Sequence, residues 1–152
     1  MVTIVPNSAK VTLSVSSNGS LIGTRDFKVR RIPKPEMQVY SRNKEVNIKR
    51  GFKKVPSSIE IRAIADEGFS QFSAKDARFR VTKAEINLVR FGRSQGSVKA
   101  SNSRPKLNSI ASKARKGDAI IVEIKEVQRK NYKGVSSKFN NYGPKTIIIN
   151  VN

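Results

Sequence analysis

The stretch ARFRVTKAEINLVRF, residues 77–91, alternates apolar and polar side chains and decides the fold class. Alternation with a period of two is typical of a half-buried β-strand. Phe79 and Val81 share one phase, whereas Ala84 and the apolar residues after it follow a phase shifted by one. A shift of this kind indicates a bulge or a bend in the strand. We therefore predict a long strand from Ala77 to Phe91 with a bulge near Lys83.

Further strands are predicted on the C-terminal side of this stretch. Residues 91–96 have turn composition and lead into a shorter strand near 97–100. Apolar alternation then returns at 119–125 and again at 146–151, where it predicts two more strands. Residues 129–144 between them are polar and are predicted to form a long loop, which either is mobile or carries a contact.

One helix is predicted before the strand at 119–125. Leu107, Ile110, Ala111 and Ala114 are spaced by three and four residues, as on one face of a helix. Asn108 or Ser109 can cap its start, and Gly117 is suited to follow its end. Asp118, next to that glycine, is interpreted as a turn residue rather than a metal ligand.

The N-terminal part of the chain predicts a β-hairpin. Val11, Leu13 and Val15 alternate with polar residues, and a second strand follows with Phe27 and Val29 on one face. The turn between them is SNGS, residues 17–20, whose Asn and Gly tolerate positive φ. Two strands cannot bury a core alone, so the hairpin must pack on the rest of the chain, on another chain or on residues upstream.

Residues 37–63 predict shorter elements. Met37 and Val39, then Val46 and Ile48, suggest strands around a polar turn at 41–43. The alternation at 59–63 favours a strand, and a short helix capped by Ser57 or Ser58 is the alternative.

Two prolines divide the chain between these parts. Pro33 and Pro35 fix φ and remove amide donors, so Ile32, Pro33, Lys34 and Pro35 should form an extended, stiff segment. We interpret it as a hinge, and the end of an edge strand within one domain is the alternative. The predicted organisation is residues 1–32 as the end of a β-sandwich-like domain, truncated or strand-exchanged, residues 33–36 as the hinge, and residues 37–152 as a β-rich domain. The fold class is mainly β and sandwich-like with one short helix, and α+β is the alternative.

Composition argues against most catalytic chemistry. The chain contains neither Cys nor His, which excludes disulfides, thiolate metal sites and the common nucleophile–histidine arrangements. Asp66 and Glu67 form the only close acidic pair, in a predicted turn, and no phosphate-binding glycine loop is present. We therefore predict no catalytic residue, no metal site and no cofactor. No apolar run is long enough to span a bilayer, and residues 1–6 do not resemble a signal peptide.

Positive charge is the strongest functional signal. The chain has 31 Lys and Arg against 11 Asp and Glu, a net charge of +20, so it should attract polyanions or acidic protein surfaces unless the charge only keeps it soluble. Aromatic residues interleave the basic residues at 129–142, which motivates a nucleic-acid hypothesis, although they can equally pack the loop onto its own core. The predicted partner-binding basic surface consists of Arg42, Lys44, Lys49, Arg50, Lys53, Lys54, Arg129, Lys130 and Lys133.

The segment NGSLIGTRDFKVRRIPKP, residues 18–35, resembles the C-terminal region of the GldM family, also called PorM, of gliding-motility and type IX secretion proteins. The family form is a glycine, then Phe-x-Val-[Lys/Arg]-Arg-Ile-Pro-x-Pro, which residues 23–35 match. The order of later elements fits as well: a long strand at 79–91, a short amphipathic helix ending at Gly117, a strand at 119–125 and a terminal strand. The basic segment 42–54 is a departure from the family pattern and leaves the partner surface open.

The resemblance implies a non-catalytic, periplasmic and homodimeric module of a protein anchored in the inner membrane by a helix outside this chain. It implies a mechanical role, linking a proton-driven inner-membrane motor (GldL or PorL) to an outer-membrane-associated ring (GldK and GldN, or PorK and PorN). A basic nucleic-acid-binding protein is the alternative, and a cell-surface adhesion domain is a weaker one.

Overall fold

The computed structural model describes residues 8–152, which divide into a first unit that ends at Ile32 and a second unit, Pro33–Asn152. The described part of the first unit is an antiparallel hairpin of β1 (Lys10–Ser17) and β2 (Ser20–Lys28). Asn18 and Gly19 connect the strands with φ of 49° and 81°, the backbone that a two-residue hairpin turn requires. The predicted hairpin and turn are confirmed. Residues 1–7 of the predicted 1–32 domain, which include the stretch compared with a signal peptide, lie outside the described residues.

A large antiparallel sheet forms the second unit's main layer. Its strands run in the order β10-β8-β6-β7, and β9 pairs with the end of β8 beside this path. The bounds are β6 Arg78–Arg90, β7 Arg93–Ala100, β8 Ala119–Lys130, β9 Ser136–Lys138 and β10 Thr146–Asn150. The mainly β fold class is thereby confirmed.

A smaller sheet has the order β4-β3-β5, with β3 Glu36–Ser41, β4 Lys44–Glu45 and β5 Glu60–Ile64. Arg42 and Asn43 connect β3 to β4 and both have positive φ, which confirms the turn predicted at 41–43. The strand interpretation of residues 59–63 is also confirmed, and the helical alternative is wrong.

Two bulges lie opposite each other in the large sheet. Val81 pairs with Val127 and Ala84 pairs with Ile124, but Thr82 and Lys125 have no partner in the ladder between β6 and β8. Each strand therefore carries one extra residue, and the phase of buried side chains shifts in both strands together. The bulge predicted near Lys83 is confirmed.

One apolar core joins the two sheets. Residues of the small sheet and of the loop between β4 and β5 share one buried cluster with the inward-facing residues of β6, β8 and β10. The residues with essentially no exposed surface include Ile61, Val81, Ile86, Leu88, Leu107, Ile110, Ile120, Val122 and Ile149.

The predicted helix is present but shorter than expected, as α2, Asn108–Ala111. Leu107 rather than Asn108 or Ser109 occupies its N-cap, and no side chain caps it. After it the amides of Lys113 and Ala114 donate to the carbonyls of Ile110 and Ala111, three residues back, which ends the α-helical pattern, and the amide of Arg115 donates to the carboxylate of Asp118 at 2.8 Å. A second helix, α1 (Glu67–Phe72), also forms, because the Asp66 side chain accepts from the amide of Phe69 at 2.9 Å and caps its start.

Three boundaries differ from the prediction. β4 ends at Glu45, so Val46 and Ile48, which suggested a strand, lie outside it. The turn after β6 is only Phe91-Gly92, both with positive φ, so β7 begins at Arg93 instead of near Ser97. The predicted loop at 129–144 is partly strand, since β8 continues to Lys130 and β9 folds back onto it. Polar strands at the edge of a sheet lack the apolar alternation on which the prediction depended.

Candidate functional site

The first part of the predicted basic surface lies on the turn between β3 and β4 and on the loop after β4. Its six cations, Arg42, Lys44, Lys49, Arg50, Lys53 and Lys54, are all exposed. The loop is held by Phe52, which is buried and whose amide donates to the carbonyl of Asn150 at 2.8 Å. Gly51 takes φ of +65° just before it, and an added Cβ there would collide with the Asn150 carbonyl. The buried Phe52 therefore holds this basic loop in a fixed position.

An open groove runs between the turn and the loop. Its volume is about 640 Å³, and its charged lining is four cations with Glu45 as the one acid among them. The cations are Arg42, Lys44, Lys53 and Lys54. The groove is therefore suited to attract an anionic group.

The second part of the predicted surface is arranged differently. Arg129 is half-buried in β8, with a guanidinium nitrogen 3.7 Å from the carboxylate of Asp76. Lys130 is exposed at the end of β8, and the ammonium of Lys133 lies 5.7 Å from the ring centroid of Tyr132. Arg129 thus serves an internal ion pair as well as the surface.

The structure does not bring the two parts together. Phe52 of the basic loop forms a β-bridge with Val151. The residue before Val151, Asn150, pairs with Ala119 at the start of β8. The second part lies at the other end of β8, which by strand geometry is about 35 Å away. They are two separate basic regions, and the role of each in binding a partner stays a prediction.

The aromatic residues of the second region pack mainly inward. Phe139 lies with its ring centroid 5.1 Å from that of Phe79, and Tyr142 is buried and donates from its hydroxyl to the carbonyl of Ile124 at 3.2 Å. The interpretation that these side chains pack the loop onto its core is confirmed for both. They are therefore not free to stack on bases.

An arginine cluster that the sequence did not reveal surrounds Glu60. Nη2 of Arg62 lies 2.7 Å from one carboxylate oxygen, and Nη2 of Arg104 lies 3.2 Å from the other. The hydrogen bond from Arg62 holds the pKa of Glu60 below its usual value. Arg62 also covers the ring of Tyr40, with the guanidinium carbon 4.1 Å from the centroid. Arg80 and Arg104 line a further depression of about 380 Å³ beside Glu60.

An irregular pairing creates this cluster. The amides of Ile59 and Ile61 donate to the carbonyls of Pro105 and Ser103, at 3.3 and 2.8 Å, which sets Arg104 beside Glu60. The two segments have no shared alternation, and 44 residues separate Glu60 from Arg104 in the chain. The one available sequence signal was the density of arginine on otherwise strand-like segments.

The predicted hinge residues lie where the two units join in sequence. Ile32 ends the first unit and Pro33 begins the second. Pro35 is buried, and its carbonyl accepts from the amide of Gly143 at 3.5 Å. Pro35 is therefore part of the second unit's packing. The hinge itself stays a prediction.

Two acidic residues of the described chain, Asp118 and Glu126, serve structure. Asp118 is buried, and the hydrogen bond from Arg90 lowers the pKa of its carboxyl. The hydroxyl of Thr82 and the ammonium of Lys138 lower the pKa of Glu126 to about 2. Residues 8–152 hold no cluster of three or more acidic side chains arranged to bind a metal, and none of their helices is long and apolar enough to cross a membrane.

Comparison with known proteins identifies the second unit. A search of curated proteins found no match to the chain. The sequence model of the GldM C-terminal domain, in contrast, matches residues 33–152. This range is the second unit, which holds both basic regions and the arginine cluster. The chain therefore belongs to the GldM family, as a component of gliding motility and type IX secretion that includes its C-terminal domain.

Proposed function

We propose that this chain is a non-catalytic periplasmic module of a longer protein anchored in the inner membrane. It transmits force from a proton-driven motor of the GldL or PorL type to ring components of the GldK and GldN, or PorK and PorN, type. The observation that carries the proposal is the family match over the whole second unit. The exposed basic regions support it, because a linking module needs surfaces that hold partner proteins.

A deletion in the native organism tests this function. Removing residues 33–152 from the full-length gene should abolish gliding and type IX secretion, while the truncated protein still co-purifies with its inner-membrane motor partner. A wild-type gene on a plasmid should restore both activities. Normal secretion by the deleted strain, with the truncated protein present at wild-type level, would contradict the proposal.

The hairpin of the first unit supports its assignment to a preceding domain. Leu13, Val15 and Phe27 lie on one face and are 41%, 50% and 45% exposed. A two-stranded hairpin with an uncovered apolar face is marginally stable in water. We propose that the rest of a β-sandwich-like domain, or a second protomer, covers this face in the whole protein.

Hydrogen exchange tests the covering of the hairpin. The amides of β1 and β2 should exchange more slowly in a longer protein that includes the preceding region than in this chain. Light scattering on the same two samples reports dimer formation, and it distinguishes cover by a second protomer from cover within one chain. Equal exchange in both samples would contradict the assignment.

The nucleic-acid alternative loses its main support in the structure. Of the three aromatic residues interleaved with the second basic region, Phe139 and Tyr142 are committed to packing. Positive charge alone provides only sequence-independent, salt-sensitive attraction to phosphate. A mobility-shift assay at moderate salt should therefore show no specific complex.

A further inference from the structure

Three depressions at the small sheet of the second unit share lining residues and together make a basic furrow. The groove between the β3–β4 turn and the basic loop shares Arg42 with a second depression of about 350 Å³. That second depression shares Glu60 and Arg104 with the depression beside Arg80. The cations along the furrow are Arg42, Lys44, Lys53, Lys54, Arg80 and Arg104.

Most of this charge is not used within the protein. Glu60 takes one ion pair from Arg104 and one from Arg62, and it is the only acid on the furrow that forms any. Among residues 8–152, Arg42 and Arg80 have no ion-pair partner, nor have the three lysines that line the furrow. All five are exposed. The furrow therefore offers several cations to an external anion.

Glu60 shows how the furrow holds a carboxylate. Each of its two oxygens takes a guanidinium nitrogen, at 2.7 Å from Arg62 and 3.2 Å from Arg104. The planar fork of arginine matches the two oxygens of a carboxylate, and three arginines line this furrow. The internal contact is thus an example of the recognition that Arg42 and Arg80 can provide to a partner.

Phosphate is the competing anion, and the aromatic residues decide against nucleic acid. Sequence-tolerant binding of single strands uses exposed aromatic faces for base stacking. Tyr40 lines the second depression, but Arg62 covers its ring and its hydroxyl donates to Gln38 at 2.9 Å. Phe52, which lines the first groove, is buried. The furrow has charge to bind carboxylates and no free ring for bases among the residues that the structure describes.

We propose that this furrow binds an extended acidic segment of a protein partner, whose carboxylates pair with Arg42, Arg80 and the neighbouring cations. The inference deepens the proposed function, because it rests on protein partners being the ligands of this module. Side chains of an extended segment alternate in direction, so glutamates at every second position present their carboxylates on one face. Such a segment can follow the furrow from Lys53 to Arg80.

Binding of a defined peptide tests the furrow. The probe is a fluorescent peptide of alternating Glu and Ser, measured by anisotropy on the 152-residue chain, with its Gln–Ser counterpart as the uncharged control. Arg42→Asn together with Arg80→Gln should weaken binding at least about tenfold. Asn suits position 42, whose φ is +50°. The matched control is Lys130→Gln with Lys133→Gln, which removes the same charge from two residues that do not line the furrow, so binding should fall clearly less than in the Arg42 and Arg80 variant.

A second variant, with its own control, should strengthen peptide binding instead of weakening it. Glu60→Gln frees Arg62 and Arg104 and should strengthen peptide binding about threefold, the scale of an exposed ion pair. Glu67→Gln, an exposed glutamate on α1, changes the net charge equally and should leave binding unchanged. Circular dichroism on each variant verifies that it is folded.

Four results would overturn the inference. Equal losses in the two double variants would mean that only the overall charge attracts the peptide. Tighter, Arg42-dependent binding of a single-stranded oligonucleotide would make the furrow a nucleic-acid site. Tighter, Arg42-dependent binding of vesicles that contain phosphatidylglycerol would make it a membrane contact. The strain that lacks residues 33–152 separates this inference from the proposed function. If that strain loses secretion but the Arg42 and Arg80 variant binds the peptide as well as the wild type does, the furrow inference is wrong and the proposed function stands.

Discussion

Arg90 donates from Nε and Nη2 to the two carboxylate oxygens of Asp118, at 2.7 and 2.9 Å. The same guanidinium donates to the carbonyl of Lys113 at 3.1 Å, and Asp118 also accepts from the amide of Arg115. This ion pair connects the end of β6 to the turn between α2 and β8. Because Asp118 is only 2% exposed, its charge depends on these donors for stabilisation.

Neutralising this aspartate should destabilise the second unit. Asp118→Asn keeps the shape but leaves Arg90 without its charged partner, so we expect the free energy of unfolding to fall by about 2 kcal/mol. Urea denaturation followed by circular dichroism measures it. Asp66→Asn is the control, because Asn caps a helix about as well as Asp and the change at α1 should stay within about 0.5 kcal/mol. A similar small change at Asp118 would contradict the expectation.

Glycine at position 51 is required for a steric reason as well as a conformational one. Gly51→Ala places a Cβ against the backbone carbonyl of Asn150, whereas Gly117 also has a positive φ, +91°, but open space where its Cβ would lie. Both pay the cost of a left-handed alanine, roughly 1 kcal/mol. We expect Gly51→Ala to lose at least about 2 kcal/mol more than Gly117→Ala, since a packed backbone must move. Thermal unfolding of both variants compares them, and equal melting temperatures would argue against the close packing of the basic loop.

Acid should weaken the second unit through Glu126. Its folded pKa is about 2, against an ordinary value of 4.5, because the Thr82 hydroxyl donates to it and Lys138 lies 3.1 Å away. A lowered pKa means that the stabilisation is complete above pH 4.5 and is lost as the pH falls toward 2. Glu126→Gln should therefore show a shallower loss of stability across this range than the wild type.

Thr82→Val refines the acid experiment, because it removes the largest cause of the lowered pKa and keeps both lysines. Its pH dependence should fall between those of the wild type and Glu126→Gln. Denaturant midpoints measured at several pH values give all three curves. Parallel curves for the wild type and Glu126→Gln would show that this carboxylate does not couple folding to pH.

The two prolines of the predicted hinge should respond differently to substitution. Pro33→Gly should leave the stability of the second unit almost unchanged, because only the linking segment gains freedom. Pro35→Gly should cost that unit about 1 kcal/mol, because it removes a buried proline ring and gives the unfolded chain more freedom. Unfolding by urea and small-angle scattering of both variants measure stability and domain spread. A large loss of stability from Pro33→Gly would contradict the hinge.

The strands could be predicted wherever one face of the strand is buried, because apolar and polar residues then alternate along it. The bulge near Lys83 could be predicted because the alternation of apolar and polar residues shifts by one position between Val81 and Ala84. Strand β9 could not, since it is a short, fully exposed strand of Ser and Lys at the edge of the sheet. Helix α1 was missed although Asp66 and the first-turn Glu67 are an N-terminal signal, because the helix buries no residue completely and has no apolar stripe to mark it.

The sequence by itself determined the mainly β class, the Asn18-Gly19 turn, the family and the surplus of positive charge. These are local or additive properties: alternation has a period of two, turn residues act through their own φ, and charge is a sum. Only the tertiary structure decided which cations share a surface. It set Arg80 and Arg104 around Glu60 through an irregular pairing of distant segments, and it put Lys130 and Lys133 at the far end of β8 from the basic loop. Contacts between segments that share no periodic pattern depend on how the whole core packs, which no local stretch of residues encodes.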